Sequence, residues 1–209
     1  MKWRAASGYP RSGIITVLDV GSSKVCCVIA RLKPREESPH LPGRTHQIRI
    51  LGIGHQKSLG VKSGVVIELD RAEQAIRLAV DAAERMAGVT VDSLLVNLSA
   101  GRMRSEVFSA DIELGGHEAS ESDIKRVLTA GGRQALKNER QVVHSLATGF
   151  SLDGERGVRD PRGLAGDRLG VSMHVVSADA APIRNLEFCV NRSHLTVEKM
   201  VATPYASGL

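Results

Sequence analysis

Three short Val- and Ile-rich runs lie between residues 13 and 54, and no other feature restricts the fold of this chain as much. They are Ile14–Leu18, Lys24–Leu32 and Gln47–Gly54, separated by the turn sequence Asp19-Val20-Gly21-Ser22-Ser23 and by a Pro-bearing stretch at 33–46. Consecutive β-rich runs with turn chemistry between them predict an antiparallel meander. The period then changes: across 70–88, Ile76, Val80, Ala83 and Ala87 fall on one helical face, which predicts a helix laid on that meander. Asp70 with Glu73 reads as a capping-box start, Asp replacing the usual Ser or Thr, and Gly88 reads as the stop.

The later chain alternates in the same way. Leu94–Leu98 and Glu106–Leu114 read as strands, and Ser120 with Asp123 opens a second helix that carries Gly131-Gly132 in its interior. Gln141–Ala147, Leu169–Ser177 and Leu195–Ala202 are further strands. Pro182 starts a third helix, where its missing N–H costs nothing, and 203–207 begins another. Asp153–Asp167 is rich in Gly, Asp and Arg and reads as a long loop. Residues 1–12, polar and basic, read as a flexible tail. The expected class is therefore α/β.

Composition narrows the function. Aromatics are 3% of the chain and the formal charge is +5, with Lys and Arg dispersed among acids. Base-stacking platforms and dense basic patches are both missing, so no nucleic-acid partner is expected. Cys26, Cys27 and Cys189 are an odd set without CxxC spacing, which fits thiols in a reducing compartment. No apolar run reaches the ~18 residues needed to cross a bilayer, and no secretory leader is read at the start, so the expected location is cytoplasmic. The histidines lack zinc spacing, and Gly52-Ile53-Gly54 has no third glycine of a dinucleotide fingerprint. Acids in 153–167 suggest either a metal site or, with Arg156, Arg159, Arg162 and Arg168, a polyampholyte loop.

The chemically suggestive element is Asp19-Val20-Gly21-Ser22-Ser23-Lys24. A glycine-bearing turn between strands offers backbone N–H groups and two hydroxyls to phosphate oxygens, and Gly21 has the freedom to take positive φ. Asp19 would hold Mg²⁺ through water, and Lys24 would add a positive charge. The plainer reading is a polar hairpin turn, since Asp, Gly and Ser are the commonest turn residues.

The order of elements goes further than the turn alone. Val17–Val25, Leu51–Gly54, Gly60–Val65, the helix at 70–87, Leu95–Gly101, His144–Phe150 and Leu164–Val176 together resemble the FtsA family. These are bacterial cell-division proteins of the actin, hexokinase and heat-shock-chaperone ATPase superfamily. The resemblance implies an actin-like, ribonuclease-H-like subdomain 1A at 13–90 and 178–209, with an SHS2-type subdomain 1C inserted at 91–177. It implies ATP-phosphate contacts at Asp19, Gly21, Ser22, Ser23 and Lys24, with Mg²⁺ at Asp19 and no catalytic residues of an enzyme.

The family's second lobe, with its other phosphate loop and membrane-binding amphipathic helix, is not met in these residues. The chain is therefore expected to be an N-terminal fragment that holds ATP weakly. The implied partners are the tubulin-like ring protein FtsZ, further copies of the protein in actin-like polymers, and later division proteins through 1C. Membrane attachment at the division site is expected of the full-length protein only. The competing reading is a sugar kinase or other phosphotransferase of the same superfamily.

Overall fold

The computed structural model describes residues 13–34, 46–134 and 140–208. In chain order the elements begin β1 (Gly13–Val20), β2 (Lys24–Pro34), β3 (His46–Lys57), β4 (Val61–Lys62), β5 (Val65–Val66), α1 (Leu69–Ala87) and β6 (Ser93–Leu98). They continue β7 (Arg104–Glu113), α2 (Glu121–Gln134), β8 (Arg140–Leu152), β9 (Glu155–Val158) and β10 (Arg168–Asp179). The last are α3 (Ala180–Arg192), β11 (Thr196–Ala202) and α4 (Thr203–Ser207). The chain forms two compact units, one running to Ser99 with Asn185–Thr203, the other comprising Ala100–Arg184 and Pro204 onward. The tail expected at 1–12 lies outside the described residues, as does most of the Pro-bearing stretch at 33–46, whose ends finish β2 and begin β3.

The first unit is a five-stranded sheet in the order β11-β6-β1-β2-β3. The expected meander is present: β1 pairs with β2, and β2 with β3, both antiparallel. β6 and β11 then add in parallel. α1 buries Ala72, Ala75, Ile76, Ala79, Val80 and Ala83, over a sheet core that includes Leu18, Val25, Cys27 and Ile29. The approach is close because β3 has glycines there. A Cβ on Gly54 would lie 1.9 Å from the Ala79 carbonyl oxygen, and one on Gly52 would lie 2.2 Å from that of Ala83. The Gly-x-Gly that lacks a dinucleotide fingerprint is thus a helix-packing device.

The start of α1 differs from the sequence reading. Its N-cap is Glu68, with no side-chain capping bond. Asp70 and Glu73 turn instead to Arg192 at the end of α3, at 2.9 and 2.8 Å. The far end is as expected: Gly88 is left-handed, φ 68°, and its N–H donates to the Glu84 carbonyl at 2.8 Å.

The second unit is an antiparallel sheet in the order β7-β10-β8-β9, with α2 packed on one face. Val127, Phe150, Leu169, Val171, Met173 and Val175 are the centre of its core. Gly131 earns its place in α2, because a Cβ there would lie 2.7 Å from Met173 Cγ. Ser120 and Asp123 form the reciprocal cap expected of them: Ser120 N–H donates to Asp123 Oδ2 at 3.0 Å, and Asp123 N–H to Ser120 Oγ at 3.3 Å. The serine hydroxyl, its backbone N–H, His117 and Arg126 together hold the buried Asp123 carboxyl well below the usual carboxylate range.

Two expectations need correction. The long loop at 153–167 contains a strand, β9, turned by Asp153 and Gly154 at φ 49° and 88°. The insert boundary at 91 also falls too early. β6 belongs to the first sheet, paired in parallel to β1, and the second unit begins at Ala100.

Candidate functional site at the ends of the parallel strands

β1, β6 and β11 are the parallel part of the first sheet, and their carboxyl ends bring Asp19, Asn97 and Thr203 together. Asp19 and Asn97 are register partners, which places both side chains on one face. Asn97 Nδ2 donates to Asp19 Oδ1 at 2.8 Å. The Thr203 hydroxyl lies 3.0 Å from both Asn97 Oδ1 and the Leu98 carbonyl. With its oxygen facing Thr203, the amide has its nitrogen turned to Asp19, so the carboxylate is held in place with its other oxygen uncommitted to Asn97. The carboxyl ends of parallel strands are the usual ligand-binding edge of such sheets.

The turn after Asp19 is built from its own backbone. Gly21 N–H donates to the Lys24 carbonyl at 3.0 Å, so it is engaged in the turn. Gly21 does not take positive φ. Its lack of a side chain has a different use, because a Cβ would lie 3.1 Å from the Lys24 carbonyl oxygen. Ser22 Oγ accepts from Gly64 N–H at 3.0 Å, which ties the turn to the β4–β5 hairpin, where Ser63 and Gly64 have φ 50° and 74°. The Ser23 carbonyl accepts from Ser58 N–H at 3.0 Å. Ser22, Ser23 and Lys24 are exposed, and Asp19 and Gly21 half-buried. Among the described residues, no hydrogen bond takes up the backbone N–H groups of Ser22 and Ser23.

The five residues singled out in the sequence therefore sit at one corner, with Ser22, Ser23 and Lys24 exposed and the Asp19 carboxylate half-buried beside them. Asn97 and Thr203 were not singled out as site residues. The only local signal for Asn97 was an amide inside an otherwise apolar strand, and Thr203 gave none.

Elsewhere Asp153 and Asp160 serve structure. Asp153 Oδ1 accepts from the N–H groups of Asp167 and Arg168 at 2.8 and 2.7 Å, and Asp160 pairs with Arg162. Among the described residues, no group of three or more His, Cys, Asp or Glu side chains is arranged to hold a metal ion. Burial pushes the Cys27 thiol up to about 12, helped by Cys26 and Glu84, and the Cys189 thiol up to about 11, helped by Glu73. Neither has the depressed value of a nucleophilic thiol. No helix among the described residues is long and apolar enough to cross a membrane.

Comparison with known proteins adds what geometry alone does not. A family model described as the SHS2 domain inserted in FTSA matches residues 100–177, close to the second compact unit. The cell-division protein FtsA of Rhizobium meliloti (strain 1021) is 62% identical over 199 residues, covering 95% of this chain and 45% of the relative. FtsA of Pseudomonas aeruginosa is 32% identical over 195 residues, covering 93% and 44%. The chain thus spans less than half the length of the curated relatives it matches. Among solved structures, the PilM-PilN type IV pilus biogenesis complex superposes with a TM-score of 0.55 at 12% identity, over 94% of this chain and 49% of that one. At that identity the likeness concerns the fold alone. The mixed α/β architecture, the SHS2 match over 100–177 and the identity along nearly the whole chain agree: over its length the chain is similar to a little under half of FtsA-type bacterial cell-division proteins.

Proposed function

We propose that this chain is part of a cell-division scaffold of the actin-like class, whose first unit corresponds to subdomain 1A and whose second to subdomain 1C. The observation that carries this is the 62% identity to a cell-division protein over 95% of the chain. In this reading the protein assembles the division ring, tethers FtsZ to the cytoplasmic face of the membrane, polymerises with further copies, and recruits later division proteins through 1C. The relatives favour that role over a phosphotransferase.

The β1–β2 turn is proposed as the ATP-phosphate contact. Ser22 and Ser23 would donate from the backbone, and Lys24 would add positive charge. Asp19, oriented by Asn97, would hold Mg²⁺ through water. The residues present fit such a group: a carboxylate fixed on one oxygen beside uncommitted N–H donors. Because these groups lie at the surface, phosphate held by them alone stays largely in water, and the affinity contributed by this chain is weak.

The test is localisation. A fluorescent fusion of the chain, expressed in a dividing bacterium that carries a close FtsA relative, should gather in a band coincident with FtsZ. Even fluorescence throughout the cell would refute the scaffold reading.

A further inference from the structure

Lys57, at the end of β3, stands directly opposite Lys24 in the antiparallel β2–β3 ladder. Opposed residues of such a ladder point to the same face, and like charges so placed repel. Neither lysine takes part in any ion pair of the described residues. The fold nevertheless fixes the two together, since the residue after Lys57 donates its N–H to the Ser23 carbonyl at 3.0 Å. That residue, Ser58, is 8% exposed and alternates with Lys57, so its side chain belongs to the other, buried face of the ladder, where among the described residues its hydroxyl has no hydrogen-bond partner.

The register extends the row. Gly21 bonds back to Lys24, so Gly21, Lys24 and Lys57 line up across three strands, and the position beside the two ammonium groups carries no side chain. One row further in, Asp19, Cys26 and His55 are partners on the same face. The corner thus has paired cations and the backbone donors of Ser22 and Ser23 beside a single oriented carboxylate.

We infer that Lys24 and Lys57 form a two-cation clamp for a polyphosphate chain. The clamp shares its turn with the nucleotide reading but rests on Lys57, which that reading does not use. Two ammonium groups at one edge match an anion with charges on successive phosphates better than a single carboxylate or inorganic phosphate. The repulsion between them is relieved when such an anion binds.

The experiment titrates the purified chain with inorganic tripolyphosphate at low ionic strength, following thermal unfolding and the amide NMR shifts of residues 21–24 and 57–58. A parallel titration uses ATP with Mg²⁺, which separates a nucleotide from a bare polyphosphate. Lys57→Gln should unfold no lower than the parent without anion, and should weaken tripolyphosphate binding about tenfold, as loss of one charged hydrogen bond does. Lys24→Gln should do the same, while Lys125→Gln, in α2, changes nothing.

The inference is overturned if tripolyphosphate neither shifts these amides nor raises the unfolding temperature, or if Lys57→Gln binds as well as the parent. Undiminished ATP binding by Lys57→Gln also sinks the clamp and leaves the nucleotide reading intact. Lys57-dependent tripolyphosphate binding without ATP binding supports the clamp and counts against that reading.

Discussion

Replacing Gly54 by alanine should pull apart the packing of α1 on β3. In an open strand the change would help, because glycine costs about 0.5–1 kcal/mol relative to alanine. Here the new methyl would stand 1.9 Å from the Ala79 carbonyl oxygen, 2.8 Å from the Ala83 nitrogen and 2.9 Å from the Ala79 carbonyl carbon. All three are backbone atoms of a helix, so no rotamer change relieves the clash. Ordinary contact begins near 3.4 Å, so helix and strand must separate by more than an ångström, loosening Ile76, Ala79 and Val80 from the sheet. Overpacking of this kind costs up to ~3 kcal/mol, which outweighs the glycine gain.

Because the chain has two compact units, a single melting curve is a poor measure. Hydrogen exchange read by mass spectrometry on separate peptides is better. A loss of ~3 kcal/mol corresponds to about a hundredfold faster exchange in α1 peptides, with α2 peptides unchanged. Gly132→Ala is the counterpart: its Cβ would meet nothing within 4 Å in α2, so protection there should rise by ~0.5–1 kcal/mol. Unchanged α1 protection in Gly54→Ala would refute the close-packing argument.

Two further outcomes are expected. Asp123 is stabilised as a carboxylate by Ser120, His117 and Arg126, so its folded pKa lies below the unfolded value of ~3.9. Its contribution is present in full above that value and lost as pH falls below it. Asp123→Asn should therefore destabilise the second unit at pH 7 and narrow its gap to the parent towards pH 2, followed by α2 hydrogen exchange; a gap independent of pH would count against the assignment. Cys27 and Cys189, with raised pKa values and full burial, should resist iodoacetamide at pH 8 in the native protein, while half-exposed Cys26 is alkylated. Rapid labelling of all three, measured by peptide mass, would contradict the core placement.

What the sequence reveals here is mainly local chemistry. The meander, α1 and the Ser120–Asp123 cap follow from period and capping rules, and all of them form within a few residues. Asp70 and Glu73 show the limit. The same spacing that caps α2 does nothing of the kind at α1, because Arg192, distant in sequence, takes both carboxylates. The β9 hairpin was readable, since Asp-Gly is a strong turn signal, but the surrounding charges masked it. Placement of β6 depends on parallel pairing with β1 and β11, which no local pattern encodes. The same holds for the site: Asp19 to Lys24 is a contiguous motif, whereas Asn97, Thr203 and Lys57 join it only through sheet register.

The sheet order has a consequence for synthesis. β6 leaves the ribosome well before β11, its outer neighbour, because Ala100–Arg184, the bulk of the second unit, is made in between. At ~5–20 residues per second, the hydrogen-bonding edge of β6 waits seconds for its mate while β1, β2, β3 and α1 are already able to assemble. A nascent chain stalled in that interval presents a bare apolar strand, and that is where cellular chaperones would be most needed.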